Sequence, residues 1–582
     1  TLDAFPLTPN RKIDRKALPA PDQVQMESEI AYVPPKNEFE RTIVKFWQEV
    51  LNLPKIGMND HFFELGGHSL LAATIISRLR ESFHVELPLT SLLKTPTVAG
   101  LASEIARRVN EQKGDRYSAP ELPKIVPAPE ERYLPFPLTD VQQAYWIGRT
   151  DTFELGNVSC HDYAEFESVD LDLERFSVAL QRLIGRHDML RAVFLPQGQQ
   201  QILEHVSSYK ITTLDLRGQD PQIVAAQLKA VRQHLSHQVL PSDQCPLFEI
   251  RASRLDDRRI RLHISFDVLI GDGLSMQILL RELYQLYQNP EAALAPIEPT
   301  FRDYIFAEAA IRDSELYRKS KDYWWSRLLT LPPAPELPLG KRPSLVTHPR
   351  FVPHDAKLEP ESWSRLKNRG ARAGLTPSGI LLAAFAEVLK VWSKSPRFTI
   401  NLTLFNRLPL HPQVNEIVGD FTSLNMLGVE NSPQETFEAR GQRLQQQLWD
   451  DLDHRYVTGV QVLRELAKRK DKPTSAVMPI VFTSILTQDT QSSDQELMAW
   501  LGDVVYVITQ TPQVWLDHIV LEKAGALVFT WNAVGELFPE GLLQAMFDSY
   551  CRFLDCLAND EESWQETWPE TVQRLVPPAQ LE

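Results

Sequence analysis

The stretch Ser265–Ser275, SFDVLIGDGLS, decides how the rest of the chain is read. It ends a run rich in β-branched and apolar residues, Arg258–Ile270 (RRIRLHISFDVLI), which has the composition of a strand. Gly271 and Gly273 then flank Asp272 in a turn, and Ser275 opens SMQILLRELYQLY, whose apolar residues follow a helical period. This strand–turn–helix unit carries two carboxylates, Asp267 and Asp272, five positions apart. Such a pair is either an acid/base couple or a frame around chemistry done elsewhere, and the neighbouring segments decide which.

Working outward, strand patterns recur at RFTINLTLF (Arg397–Phe405), MPIVFTSIL (Met478–Leu486) and VWLDHIVLE (Val514–Glu522). Between them lie helical patterns such as SGILLAAFAEVLKVW (Ser378–Trp392) and GLLQAMFDSYCRFLDCL (Gly541–Leu557). A mixture of this length, from about residue 130 onward, implies two α/β lobes, since single domains run to roughly 100–200 residues. Two proline-rich stretches, Pro19–Pro35 and Pro120–Pro137, read as linkers. The module between them is helical. Ile43, Phe46, Trp47, Val50 and Leu51 mark one helix face, with Asn37 and Glu40 as its capping box. A second helix fits Ser69–Phe83, and Thr95-Pro96 reads as the N-cap and first residue of a third.

The 582 residues include 61 basic and 76 acidic side chains, a net charge of −15. That balance excludes a basic nucleic-acid surface and gives no attraction to anionic membranes. Four scattered cysteines, Cys160, Cys245, Cys551 and Cys556, suit neither a disulfide framework nor a zinc site. The most apolar helical run, Gly379–Leu389, is far shorter than the ~20 residues a bilayer requires. With no leader-like pattern at Thr1–Lys12, a cytoplasmic protein without metal, nucleic acid or membrane is expected.

The loop before the second helix reads DHFFELGGHSLLA (Asp60–Ala72) and places Ser69 at a helix N-terminus, where backbone N–H groups favour a phosphate. On pattern alone Ser69 is equally an N-cap. LGGHSLLA, however, closely resembles the attachment motif of peptidyl carrier domains in nonribosomal peptide synthetases. That resemblance implies 4′-phosphopantetheine on Ser69, installed by a phosphopantetheinyl transferase. PLTPNRKIDRKALP (Pro6–Pro19) resembles the last motif of adenylation domains, with Lys12 in the place of the active-site lysine and Arg11 replacing a glycine.

FPLTDVQQAYWIGR (Phe136–Arg149) resembles the opening motif of heterocyclization domains, relatives of condensation domains. RHDML (Arg186–Leu190), LPPAPELPL (Leu331–Leu339), GDFTSL (Gly419–Leu424), PIVFTSIL (Pro479–Leu486) and QTPQVWLDH (Gln510–His518) follow in order. Condensation domains carry His-His-x-x-x-Asp-Gly where this chain has Asp267-Val268 before Asp272-Gly273. Valine cannot move a proton, so histidine-based chemistry is not expected. The segment fits the Asp-x4-Asp-x2-Ser signature of cyclization domains through Asp267, Asp272 and Ser275.

The resemblance implies two steps: amide formation with a Cys, Ser or Thr on a downstream carrier, then cyclodehydration to a thiazoline or (methyl)oxazoline. The second step needs a proton donor and acceptor, and Asp517 is the candidate, with Thr483 orienting it. Pattern alone favours a surface aspartate on an edge strand or a buried structural ion pair at Asp517, and the resemblance of PQVWLDH reverses that preference. Asp267, Asp272 and Ser275 are read as signature and frame, with Arg407 as the partner of Asp272. The expected fold is a small all-α four-helix carrier bundle followed by a two-lobed, chloramphenicol-acetyltransferase-like α/β pseudodimer. The expected divisions are an adenylation tail at 1–20, a linker at 21–35, a carrier at 36–110, a linker at 111–132, and lobes at 133–295 and 296–575. Upstream adenylation and downstream adenylation and carrier domains are the expected partners. An inactive carrier-binding scaffold and a free-standing acyltransferase are the alternative readings.

Overall fold

In the computed structural model, helix α1 (Glu38–Leu51) begins as the chain pattern requires. Asn37 Oδ1 accepts the Glu40 N–H at 2.9 Å, and the Glu40 carboxylate reaches back to Asn37. The structure describes residues 32–51, 53–65, 67, 69–111, 122–430, 434–468, 477–486 and 500–576. The expected adenylation tail with Lys12, most of the first linker and the first half of the second (112–121) lie outside the described residues.

Helices α2 (Ser69–Phe83), α3 (Thr90–Lys94) and α4 (Val98–Glu111) complete the carrier. Ile43, Trp47, Phe62, Ile75, Leu79, Leu101 and Ile105 are sealed from solvent in its core. The start of α4 differs from the expectation of a Thr95 cap. Thr97 Oγ1 accepts the Gly100 N–H at 3.1 Å, whereas Thr95 Oγ1 donates to the Ser91 carbonyl and closes α3. Two threonines two positions apart compete for the same role, and only Thr97 is free of the preceding turn.

Around helix α5 (Asp140–Gly148), whose Thr139–Gln142 capping box fixes the chain entry, the first lobe is built on strands. These are β1 (Phe136–Pro137), β2 (His161–Val169), β3 (Ala192–Leu195), β4 (Gln199–Ile202), β5 (Thr212–Asp215), β6 (Phe248–Arg254) and β7 (Arg259–Asp267). The second lobe contributes β8 (Phe351–Leu358), β9 (Arg397–Phe405), β10 (Thr422–Glu430), β11 (Ile480–Ile485), β12 (Asp503–Gln510), β13 (Leu516–Lys523) and β14 (Ala526–Val534). A six-stranded sheet runs β10-β9-β11-β13-β14-β8, and a five-stranded sheet runs β12-β2-β7-β6-β5.

The division at residue 295 is therefore incomplete. β12 belongs by sequence to the second lobe, yet it pairs antiparallel with β2 from Asp503↔Glu167 to Gln510↔His161 and forms an edge of the first lobe's sheet. Parallel β11 and β13 are neighbours in one sheet and need a crossover between them. Here that crossover includes a strand lent to the other lobe. Gly379–Lys390 is buried throughout as the core helix of the second lobe. Among the described residues, no single helix is long and apolar enough to cross a membrane.

Candidate active site between the lobes

The six-stranded sheet separates polar from apolar chemistry by alternation along β13. His518 turns into the second lobe's core, sealed from solvent, with Phe385 4.6 Å and Tyr550 4.7 Å away between ring centroids. Burial holds its pKa well below the ordinary histidine value, so it is a neutral packing residue. Asp517 turns the other way. In one row across the sheet it stands beside Val481 of β11 and Asn532 of β14, and Asn401 of β9 follows Val481.

Asp517 is 7% exposed. Thr483 Oγ1 lies 3.2 Å from Asp517 Oδ1 and 2.9 Å from Thr403 Oγ1. With one hydroxyl proton, Thr483 can donate to the carboxylate only while accepting from Thr403. Burial pushes the Asp517 pKa up to about 7, and the charge of Asp162 pushes the same way. Bonds from Thr483 and Thr509 pull back. A carboxyl with a pKa near neutrality exchanges protons in either direction.

The facing wall comes from the first lobe. Asp162 on β2 stands opposite Thr509 of β12, and Thr509 Oγ1 accepts from Asn532 Nδ2 at 2.9 Å. Tyr145 of α5 is raised well above the ordinary tyrosine value, first by burial and then by the charges of Cys160, Asp420 and Asp517. Asp420, on the second-lobe segment that leads into β10, is sealed from solvent, and burial raises it to about 8, with Asp272 adding repulsion. It lines a cavity of about 210 Å³ together with Asp140 and Glu308.

The aspartates of the opening motif serve separate polar networks. Asp267 Oδ2 accepts from Arg149 Nη1 at 2.5 Å, and its Oδ1 caps the single turn Val268–Ile270 by accepting the Leu269 N–H. Asp272 caps the helix Gly273–Gln288: its Oδ1 accepts the Ser275 N–H at 2.8 Å and the Ser275 hydroxyl at 2.7 Å. Arg407 Nη2 donates to Asp272 Oδ1 at 2.9 Å and to Ser275 Oγ at 3.0 Å. Ser275 Oγ accepts the Gly419 N–H at 3.1 Å, and its single proton lies within reach of both Asp272 Oδ1 and the Gly419 carbonyl. Val268, where a histidine would stand in a condensation domain, is half-buried.

The structure thus brings Asp517 and Thr483 together, gathers Asp272, Ser275 and Arg407 elsewhere, and assigns Asp267 to Arg149. Sequence reasoning missed Asp162, Thr509 and Asn532. Their juxtaposition depends on β12 crossing between lobes, which no local pattern announces.

Ser69 is the first residue of α2; its side chain lies outside the described residues. The backbone around it suits a phosphate-linked arm. A Cβ on Gly67 would lie 2.2 Å from the buried Phe62 ring, so glycine lets the loop pass close before the helix N-terminus. The carrier rests on the second lobe. Phe63 meets the Trp449 ring edge-on at 5.7 Å, and Arg80 pairs with Asp453 at 2.8 Å.

Residues 135–569 match the condensation domain family, and residues 41–105 match the phosphopantetheine attachment site. Bacitracin synthase 1 of Bacillus licheniformis is 38% identical over 562 residues, which is 96% of this chain and 10% of that protein. Pyochelin synthetase PchF of Pseudomonas aeruginosa is 38% identical over 445 residues, covering 75% of this chain and 24% of the relative. Phenyloxazoline synthase MbtB of Mycobacterium tuberculosis is 36% identical over 473 residues, covering 78% and 32%. The chain spans a third or less of each of these relatives. Among solved structures, the EpoB NRPS cyclization-docking bidomain from Sorangium cellulosum is 41% identical, with a TM-score of 0.73. The alignment covers 80% of this chain and 94% of that one. The first condensation domain of the calcium-dependent antibiotic synthetase, at 17% identity and TM-score 0.61, shares the fold. The chain belongs to the condensation-domain family and joins such a domain to a phosphopantetheine carrier, as a segment of a nonribosomal peptide synthetase.

Proposed function

We propose that this segment condenses a carrier-bound acyl or peptidyl group with Cys, Ser or Thr on a downstream carrier, then cyclodehydrates the product to a thiazoline or (methyl)oxazoline. The observation that carries the reading is Asp517: a buried carboxyl, raised to about 7 and bonded by Thr483, in a domain with Val268 at the histidine position. The names of two relatives, a phenyloxazoline synthase and a cyclization bidomain, agree with it.

Ser69 is the residue that would hold phosphopantetheine, which when bound supplies a thiol carrying the donor group as a reactive thioester. Amide formation starts from that activated acyl group, so holding amine and carbonyl together supplies much of the acceleration. Ring closure starts from an amide, a poor electrophile whose oxygen must leave as water. In this reading Asp517 protonates that oxygen and collects the proton released from nitrogen. Thr483 keeps the carboxyl oriented. Asp272, Ser275 and Arg407 hold the segments that carry the two lobes' motifs in register.

Upstream adenylation, downstream adenylation and carrier domains and a phosphopantetheinyl transferase would complete the assembly, in the cytoplasm. The test is mass spectrometry on the holo protein with a loaded donor and a cysteinyl carrier. A product lighter than the linear amide by one water supports the reading. Linear amide alone would leave a condensation domain, and no transfer would leave a carrier-binding scaffold.

A further inference from the structure

We propose that Asp162, on the first lobe's strand β2, is a second catalytic carboxylate that works with Asp517 across the lobe interface during ring closure. The inference rests on the cyclodehydration proposed above and names the group that this reaction still lacks.

Ring closure moves two protons that a single carboxyl must handle in turn. The thiol proton has to leave as sulfur attacks, and the amide proton has to leave as C=N forms. In net balance they match the two protons of the departing water. Two carboxyls, one ionised and one protonated, allow each transfer to have its own donor or acceptor.

The geometry brings two such groups together from different lobes. Asp517 and Asn532 are direct neighbours across β13 and β14. Asn532 Nδ2 donates to Thr509 Oγ1 at 2.9 Å. Thr509 is the direct partner of Asp162 across β12 and β2. Thr509 also lies close enough to the Asp517 carboxyl to lower its pKa. One threonine on the crossing strand therefore touches the neighbourhood of both acids. The Asn532 side-chain carbonyl is buried and, among the described residues, lacks a hydrogen-bond donor. It is free to accept an N–H from a substrate amide held at this place.

The charges agree with this pairing. Burial raises Asp162 to about 6, and Asp267 on the neighbouring strand adds to the shift. The other groups facing this place are Asp517 of β13, Cys160 before β2 and Tyr145 of α5. Cys160 and Tyr145 are held well above their ordinary values, chiefly by burial, and stay neutral near pH 7. The charge of Arg149 is engaged by Asp267. Burial raises both carboxyls toward neutrality, and the charge of Asp162 adds to the shift of Asp517, which favours one proton held between the two.

The steps balance. As sulfur bonds to the amide carbonyl carbon, the thiol proton passes to the Asp162 carboxylate and the carbonyl oxygen takes the Asp517 proton. The C–O bond then breaks as Asp162 gives its proton to the departing hydroxyl. Asp517 collects the N–H proton as C=N forms. One water leaves, and both carboxyls end in their starting states. A Ser or Thr hydroxyl follows the same course.

The experiment uses the whole chain, with an aminoacyl donor on Ser69 and a cysteinyl carrier as acceptor, and follows linear amide and thiazoline by mass. Asp162→Asn is expected to lower the ratio of thiazoline to amide by ~100-fold, the scale of one acid–base partner. Asp162→Glu is expected to recover part of that ratio and to displace the pH profile of ring closure. Asp162→Asn combined with Asp517→Asn is expected to be no worse than Asp517→Asn, because the two act as a unit. An unchanged ratio in Asp162→Asn, parallel loss of both products, or a wild-type pH profile in Asp162→Glu would overturn the proposal. A wild-type chain that makes only linear amide would overturn the cyclodehydration reading itself, and this inference with it.

Discussion

Arg407 and Asp272 form a buried ion pair, with Nη2 donating to Oδ1 at 2.9 Å and both side chains almost closed to solvent. The guanidinium also donates to the Val414 and Ile417 carbonyls and lies 4.0 Å over the Phe421 ring. One cation thus ties the GDGLS turn to the segment leading into GDFTSL. Asp272→Ala strands that cation and removes the cap of the helix Gly273–Gln288. The expected cost is ~3–5 kcal/mol, read as a lower denaturation midpoint with amide and ring formation falling together. A variant as stable as wild type would remove the bracing role.

Asp517→Ala should separate the two reactions. The ratio of heterocycle to linear amide is expected to fall by ~10²–10⁴, the range for losing a general acid–base group. Thr483→Val should lower it less, because it removes one hydrogen bond to the carboxyl and leaves Asp517 itself in place. Single-turnover product masses check both, and normal heterocycle from Asp517→Ala would end the assignment.

The outline of the chain was legible from its sequence where local chemistry dictates structure. The Asn37–Glu40 box starts α1, and the strand–turn–helix around Asp272 lies where alternation and glycines put it. Asp517 and Thr483 sit on adjacent strands, and strand alternation separates Asp517 from His518. What could not be read was contact between distant segments. β12 joins the other lobe's sheet, so Thr509 meets Asp162 across more than 300 positions. Thr97 rather than Thr95 caps α4 for a smaller reason of the same kind: the Thr95 hydroxyl is already engaged by the turn before it.

Asp420 makes stability depend on pH in a definite direction. Its folded-state pKa is raised to about 8, mainly by burial, above the ordinary value of 3.8. From roughly pH 4 to 8 the folded chain therefore holds a proton that the unfolded chain has released, and stability falls as pH rises through that window. Asp420→Asn removes the titration. Its stability relative to wild type should rise by up to ~1.4 kcal/mol per pH unit across the window. Denaturant melts of both proteins at pH 5 and pH 8 test this; an equal difference at the two values would contradict it.

Asp453 holds the carrier against the second lobe. It ends the helix Phe437–Asp453, its Oδ1 accepts from Arg80 at 2.8 Å, and its Oδ2 accepts the Leu89 N–H at 2.7 Å. Lys319 meets Glu86 at the rim, in a pair too exposed to contribute much. A carrier that serves several partners needs a seat it can leave, and one carboxylate with two charge-assisted bonds provides a weak one. Asp453→Ala should weaken the seat by ~1–3 kcal/mol while leaving each domain folded. Distances between spin labels on the carrier and the second lobe are expected to spread from one narrow peak to a broad distribution. The change should be matched by Arg80→Ala to a lesser degree, because the Leu89 N–H bond survives that substitution. A narrow peak retained in Asp453→Ala would place the hold in the Phe63–Trp449 contact instead.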